Sequence, residues 1–230
     1  MLNITRGSIE VTQYTEVSYL GCLFDEKCRG ESMALKVIGK INGKLKFLWR
    51  KNKFLTPALR RLLCNALIQP HFDYAISAWY PNLQKKLLNK LQICQNKCIR
   101  FCLMLDNRSH IGNTEFREIN WLPVQDRFEQ CVNTHVFKQQ NNLAPKYMNE
   151  VFTLADQALI RTRASSYKLK QPNRKRVSGC KAISYLGPKF WNRLPNDIKT
   201  AKSANGFKHK IKQYYFKELD KKDKDIFIYY

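Results

Sequence analysis

The sequence contains no apolar run long enough to cross a membrane and no leading apolar segment. Its apolar stretches fall short of the ~18–20 residues that a bilayer-spanning helix needs, and residues 1–8 lack the apolar core of a signal peptide. We therefore expect an intracellular protein, nuclear or cytoplasmic and not secreted, that does not bind a membrane. In such a reducing compartment its eight cysteines are expected to be free thiols.

Groups that could perform catalysis are also scarce. Two-metal phosphoryl chemistry needs at least two converging carboxylates, and hydrolytic triads need a positioned histidine. Asp73, in Phe72-Asp73-Tyr74-Ala75, stands alone where polymerase motifs place two adjacent aspartates, and it lies in a helical pattern. There is no glycine-rich phosphate loop, and the four histidines are scattered. We therefore expect neither an enzyme nor a bound cofactor.

Acidic residues are missing from the tract 32–72. Surface helices normally mix both signs, because like charges repel and opposite pairs four residues apart are mildly stabilising. A tract without such pairs indicates that an external anion supplies the missing charge. Its basic residues, which are candidate nucleic-acid contacts, are Lys36, Lys40, Lys44, Lys46, Arg50, Lys51, Lys53, Arg60 and Arg61.

The whole chain is basic, with 41 Lys and Arg against 18 Asp and Glu and a net charge of +23. Nucleic acid is the first candidate partner, because neutralisation of its phosphates and release of counterions give affinity that does not depend on the base sequence. A second acid-free tract predicts an extended basic loop over residues 161–181. Its candidate contacts are Arg161, Arg163, Lys168, Lys170, Arg174, Lys175 and Arg176.

Apolar periodicity predicts a mainly α-helical fold preceded by a short β-hairpin. The hairpin would pair a strand at Ile9 and Val11 with one from Val17 to Phe24. We divide the rest into a helical bundle over 31–110, a helical region over 111–219 and a frayed tail over 220–230. A turn-rich aromatic segment is expected from Tyr185 to Pro195. The predicted helices follow Gly30 and cover Pro57–Gln69, His71–Trp79, Leu83–Leu105, Thr114–Ile119, Pro123–Gln140, Pro145–Leu154 and, after a Ser203 cap, the chain to Leu219.

The first helix is expected to bury one stripe and to present two basic edges. On a helical wheel its apolar residues fall within a sector of about 120°. These are Val37, Ile38, Ile41, Leu45, Leu48 and Trp49. One flank carries Lys36, Lys40, Lys44 and Lys51, and the other carries Lys46, Arg50 and Lys53.

One spacing admits a metal site. Cys98-x3-Cys102-x7-His110, with Glu115 after four further residues, has the spacing of a Cys-Cys-His-Cys zinc knuckle whose last ligand is a carboxylate. The same cysteines recur with Cys94 every fourth residue in an apolar helical stripe, which is typical of small core residues. Both interpretations stay open.

The order of several short motifs resembles that of a known family. It begins with a strand closed by Tyr19-Leu20-Gly21 and a basic helix. Next come Pro70, Tyr74, Trp79, Leu91-Gln92, Asn96-Lys97, Ile99-Arg100, Trp121-Leu122-Pro123, Arg127, Pro145-Lys146-Tyr147 and Arg161-Thr162-Arg163. The series ends with Gly187-Pro188-Lys189-Phe190-Trp191-Asn192-Arg193-Leu194-Pro195 and Phe207-Lys208. From about Val17 to Leu219 the chain resembles the carboxy-terminal part of the reverse transcriptase of non-LTR, jockey-like retrotransposons.

The resemblance implies a specific arrangement. The Tyr19-Leu20-Gly21 strand would end the palm, and the following helices would form the thumb, which grips a template–primer duplex, an RNA–DNA hybrid or other duplex, through its backbone. Lys36, Lys40, Lys44, Lys46, Arg50, Lys51 and Lys53 would face that duplex. The catalytic carboxylates of such an RNA-directed DNA polymerase lie upstream of this strand, so the chain would be a truncated, non-catalytic fragment that can also pair with the missing palm and fingers.

An alternative function is a helical protein-interaction module without a nucleic-acid role. Such a module would use its charge for solubility or for an acidic protein partner. The tract 32–72 discriminates between the two, because a protein interface needs a large exposed apolar patch whereas phosphate binding needs a basic face.

Overall fold

The computed structural model describes residues 4–6, 9–11, 14–155 and 167–221. Two β-hairpins precede a set of packed helices, which confirms the predicted mainly α-helical fold. The strands are β1 (Ile4–Arg6), β2 (Ile9–Val11), β3 (Glu16–Tyr19) and β4 (Cys22–Asp25). The helices are α1 (Glu31–Arg50), α2 (Pro57–Leu67), α3 (Gln69–Asp73), α4 (Ile76–Trp79), α5 (Lys85–Leu103), α6 (Asn113–Glu118), α7 (Val124–Gln140), α8 (Ile183–Trp191), α9 (Asn196–Lys199) and α10 (Ala204–Lys221). Within these residues, none of the helices has the length and apolarity needed to cross a membrane.

The hairpins pair differently from the prediction. β1 pairs with β2, and β3 pairs with β4, in both cases antiparallel. The turn of the second hairpin consists of Leu20 and Gly21, whose φ angles of 47° and 79° are the left-handed values that a two-residue hairpin turn requires. The predicted continuous strand from Val17 to Phe24 was therefore wrong. The turn within this apolar run was not recognisable from the sequence, because leucine rarely adopts a left-handed backbone conformation.

Helix α1 starts where only glycine fits. Gly30 has a φ of 72°, and a β-carbon there would lie 2.3 Å from the carbonyl oxygen of Trp79. The predicted buried stripe is confirmed, with Ile38 and Trp49 half-buried at its edges. The fully buried members of the helix are Met33, Ala34, Val37, Ile41, Leu45 and Leu48.

The positions of the next three helices agree only in part with the prediction from local sequence signals. Thr56 caps α2 as predicted, since its Oγ1 accepts the backbone N–H of Leu59 at 3.3 Å. Pro70 lies in the first turn of α3 rather than ending a helix, and there its missing N–H costs no hydrogen bond. The single helix predicted over His71–Trp79 was wrong, because the chain turns at Ala75, with a φ of 49°, between α3 and α4.

Helix α5 confirms the predicted long fourth helix and lies against α1 and α2. Its buried face belongs to the first of two hydrophobic clusters. That face includes Leu87, Leu91, Cys94, Cys98, Ile99, Phe101 and Cys102. The cysteines are thus core residues of the helix bundle.

A buried guanidinium joins the ends of α1 and α5. Arg60, only 4 % exposed, donates to the carbonyl oxygens of Asn52 at 2.7 Å and Leu55 at 3.0 Å, just beyond the end of α1. It also donates to the carbonyl of Phe101 at 3.3 Å, in the last turn of α5, and lies over the Phe101 ring. The carbonyls of the last turn of a helix lack partners within the helix, so Arg60 satisfies one such carbonyl of α5 and ties it to the segment that follows α1.

Helix α7 joins the two hydrophobic clusters. Phe128 and Val132 belong to the first cluster, and Val136 and Phe137 belong to the second. In the second cluster the rings of Phe137 and Phe207, on α10, are stacked with centroids 4.4 Å apart. The first cluster therefore contains residues from both sides of residue 110, and the division into 31–110 and 111–219 remains a prediction.

Helix α8 occupies the first part of the segment predicted to be turn-rich, so that prediction was wrong up to Trp191, whereas residues 192–195 form a turn before α9. The helix contains Gly187 and Pro188, which are normally poor helix formers. A β-carbon on Gly187 would lie 2.3 Å from the ring of Phe152, so the glycine permits a close packing contact. Tertiary packing outweighs local propensity here.

The short helix predicted over Pro145–Leu154 was also wrong, since only a 3-10 turn at Lys146–Met148 forms. The Gln139 side chain binds the carbonyl oxygens of Asn149 and Phe152, which holds this segment in an irregular path.

The last predicted helix is confirmed. Ser203 Oγ accepts the Gly206 N–H at 3.1 Å, and α10 continues to Lys221. The predicted frayed tail beyond Lys221 falls outside the described residues.

Replacing Arg60 by methionine is expected to lower the free energy of unfolding by about 2–4 kcal/mol, because buried carbonyl oxygens lose their charged donor. The measurement is urea denaturation followed by circular dichroism. Arg50→Met, at an exposed position of α1, is the control and should change stability by less than about 0.5 kcal/mol. Equal stability of the two variants would contradict the role assigned to Arg60.

Two glycine-to-alanine changes should have opposite effects on stability. Gly30→Ala is expected to destabilise the fold by about 2 kcal/mol or more, since it adds left-handed strain and a clash with backbone. Gly43→Ala, where a β-carbon meets nothing within 4 Å, should stabilise α1 by about 0.5–1 kcal/mol. Thermal denaturation of both variants tests the pair, and a loss of stability in both would contradict it.

Candidate nucleic-acid interface

One flank of α1 forms a basic groove with α3. Lys36 and Lys40 line it together with Pro70, His71 and Tyr74, around a space of about 350 Å³. The hydroxyl of Tyr74 donates to the carbonyl of Leu20 in the hairpin turn. The sequence predicted the lysines on one edge, and the structure adds the opposite wall of the groove.

The lysines of this flank are partly held in place. Lys36 Nζ donates to the carbonyl of Gly21 at 3.0 Å, and Lys44 Nζ donates to the carbonyl of Leu67, the last residue of α2, at 3.0 Å. An ammonium group has three donors, so each keeps hydrogen-bonding capacity for an anion. Lys40 is exposed. The flank therefore offers three ammonium groups near one groove.

His71 forms part of the groove wall but is uncharged at neutral pH. Burial, followed by the ammonium groups of Lys44 and Lys40, lowers the pKa of His71 below its ordinary value. Its Nε2 is buried and has no hydrogen-bond partner among the described residues. The groove thus takes its positive charge at neutral pH from the lysines alone.

The opposite flank of α1 forms a second groove, with α5. Lys46 and Trp49 line it together with Asn42, Asn107 and Lys97, around a space of about 540 Å³. Lys97 was not among the predicted contacts. The signal that would have found it is its position directly before Cys98 on the buried stripe of α5, which places it at the edge facing α1.

The other predicted contacts of the first tract differ in accessibility. Arg50, Lys51 and Lys53 are exposed at the end of α1, and Arg61 is half-buried. The prediction that Arg60 contacts phosphate was wrong, because its buried guanidinium is bound to three backbone carbonyl oxygens.

The second basic tract is attached to the core through the aromatic motif near residue 191. Asn192 Oδ1 accepts the backbone N–H of Leu169 at 2.9 Å, and its Nδ2 donates to the Leu169 carbonyl at 3.0 Å. The indole N–H of Trp191 donates to the carbonyl of Tyr167 at 2.9 Å. Because Leu169 is buried, its neighbours Lys168 and Lys170 are exposed.

The rest of this tract also presents charge to solvent. Arg174, Lys175 and Arg176 are exposed and lie outside regular helices and strands, as the loop prediction requires. Arg161 and Arg163, also predicted contacts, fall outside the described residues.

Three carboxylates form ion pairs away from the grooves. Arg127 binds both oxygens of Asp73, and the other ion pairs within the described residues are Arg117–Asp220 and Lys221–Glu218. Asp73, the one candidate for polymerase-like chemistry, is therefore held in a link between α3 and α7. In the described part of the chain, no cation of α1 is paired with a carboxylate.

The four residues with zinc-knuckle spacing are not brought together. Cys98 and Cys102 are buried within α5, and burial raises the pKa of the Cys98 thiol well above its ordinary value. Glu115 accepts the backbone N–H of Gly112 at 2.7 Å, and His110 is exposed. No cluster of three or more metal-binding side chains exists among residues that the structure describes, so the core interpretation of these cysteines accounts for them.

No known protein-family model matches this chain, nor does any curated protein or solved structure with which it was compared. The assignment of a function therefore depends on the charge, geometry and burial of the chain's own residues.

Proposed function

We propose that this chain binds nucleic acid through phosphate contacts on the flank of α1 that carries Lys36, Lys40 and Lys44, without sequence selectivity. The observation that carries the proposal is a basic groove whose cations have no carboxylate partner in the described part of the chain. Fixed cations beside a groove attract a polyanion more strongly than freely moving ones, because less side-chain entropy is lost on binding.

We further propose that the chain is the palm end, thumb and post-thumb part of a non-LTR, jockey-like retrotransposon reverse transcriptase, acting inside the cell. A strand that ends at Tyr19, a left-handed turn at Leu20-Gly21 and a basic helix directly after it support this proposal. The chain would grip a template–primer duplex without catalysing polymerisation. The ion pair of Asp73 with Arg127 supports the non-catalytic part of the proposal.

A protein-interaction module is the second candidate, because apolar side chains are exposed on α1, on α2 and in the turn between them. Phe47 is 58 % exposed, Phe54 80 % and Leu62 62 %. Cations stand beside them in the chain, at Arg50, Lys51 and Lys53, so this surface mixes apolar and basic groups. A protein partner for it would have to be acidic as well as apolar.

Charge reversal on the first flank should abolish duplex binding. Replacing Lys36, Lys40, Lys44 and Lys51 by glutamate is expected to weaken binding to an RNA–DNA duplex by at least about 100-fold and to reduce the slope of log affinity against log salt by about 3–4. Fluorescence anisotropy between about 50 and 200 mM salt measures both quantities.

The control variant carries the same change of net charge elsewhere, with glutamate at the exposed residues Lys86, Lys90, Lys202 and Lys217. Its affinity for the RNA–DNA duplex should be within about tenfold of that of the unmodified chain, because it loses only long-range electrostatic attraction and keeps the lysines of the groove. Equal losses in both variants, or an affinity that does not change with salt, would contradict the proposal. Unimpaired binding to an acidic protein would then favour the second candidate.

A further inference from the structure

The groove between α1 and α5 contains the most accessible tryptophan of the chain. Trp79, Trp121 and Trp191 are between 1 and 3 % exposed, and the indole N–H of each donates to a protein oxygen atom. Trp49 is half-buried, and its indole N–H has no acceptor among the described residues. This tryptophan therefore keeps both surface and a hydrogen-bond donor for another molecule.

The core holds the Trp49 ring from one side. The ring of Phe101, on α5, meets it edge to face with centroids 5.2 Å apart and planes at 64°. Phe101 is itself fully buried and lies under the guanidinium of Arg60. Because its support is rigid, the indole is a preformed wall of the groove.

Both hydrogen-bond donors and hydrogen-bond acceptors surround this wall. Lys46 on α1 and Lys97 on α5 supply cations, and the side chains of Asn42 and Asn107 supply both donors and acceptors. Neither aspartate nor glutamate lines the groove. Its volume of about 540 Å³ lies within the range of small-molecule sites.

We propose that this groove binds one unpaired nucleotide of a single-stranded nucleic acid. The base lies against the indole of Trp49, the adjoining phosphates contact Lys46 and Lys97, and the amides of Asn42 and Asn107 hydrogen-bond to the base edge. An aromatic ring with cations beside it is the usual combination for single strands, since every base has a stacking face. The inference rests on the proposed function and assigns the second flank of α1 to an unpaired strand, whereas the first flank contacts a duplex.

Intrinsic fluorescence gives a direct test, because the other three tryptophans are buried. Titration with oligo(dT) or oligo(U) should quench the fluorescence of the full chain in a saturable manner. Lys46→Ala with Lys97→Ala, which keeps the indole, should weaken this quenching at least about tenfold. The matched control, Lys86→Ala with Lys90→Ala, should leave it within about twofold.

A second variant measures the stacking contact itself. Trp49→Leu, which removes the aromatic face and keeps an apolar side chain, should remove the quenching signal and weaken the binding of a labelled single strand by about tenfold. Its affinity for an RNA–DNA duplex should stay within about twofold, since the other flank is unchanged. An unaltered circular dichroism spectrum of this variant establishes that the fold is intact.

Thymidine monophosphate and inorganic phosphate distinguish the source of the ligand. If the mononucleotide quenched the fluorescence at the same concentration as the oligonucleotide, the ligand would be a free nucleotide and the assignment to a single strand would be overturned. Quenching by phosphate alone would overturn the stacking contact. Absence of any quenching, with salt-dependent duplex binding retained, would overturn this inference and leave the proposed function standing, whereas loss of duplex binding as well would overturn both.

Discussion

The arrangement of the basic helix depends on one buried cation. Arg60 lies among carbonyl oxygens that follow α1 and end α5, and its charge is stabilised by backbone dipoles rather than by a carboxylate. The contact fixes how the ends of α1 and α5 meet. The groove with Trp49 depends on this contact, since α1 and α5 are its two walls.

The aromatic motif near the end of the chain has an analogous role for the second basic tract. The Asn192 side chain binds the backbone of Leu169 as a neighbouring β-strand would, with one donor and one acceptor. Trp191 adds a third bond to the same segment. The side chains of Trp191 and Asn192, at the end of α8, thus hold an irregular, highly charged segment in a defined path, because they satisfy backbone groups of that segment while its lysines stay in water.

Elements defined by local patterns were predictable, and contacts between distant residues were not. The apolar stripes of α1 and α5, the Thr56 cap and the Ser203 cap each depend on residues within one or two turns. The burial of Arg60 depends on Phe101, far away in sequence, and the approach of Lys97 to Lys46 depends on how two helices pack. Helix α8 formed against its local propensity because Gly187 packs on Phe152. The basic edges were therefore foreseeable, but the grooves were not.

The hydrogen bond from Lys36 to the hairpin turn links two processes thermodynamically. The same ammonium group holds the carbonyl of Gly21 and lines the groove beside α3. An ammonium has three donors, so a phosphate bound as proposed can contact Lys36 while Lys36 still holds Gly21. An attached hairpin then favours phosphate binding, and bound phosphate favours the attached hairpin by the same factor, because linkage is reciprocal. The order of the β3–β4 hairpin and the occupancy of the groove are therefore coupled. A probe attached to the hairpin turn would report on a ligand that binds in the groove and does not touch the turn.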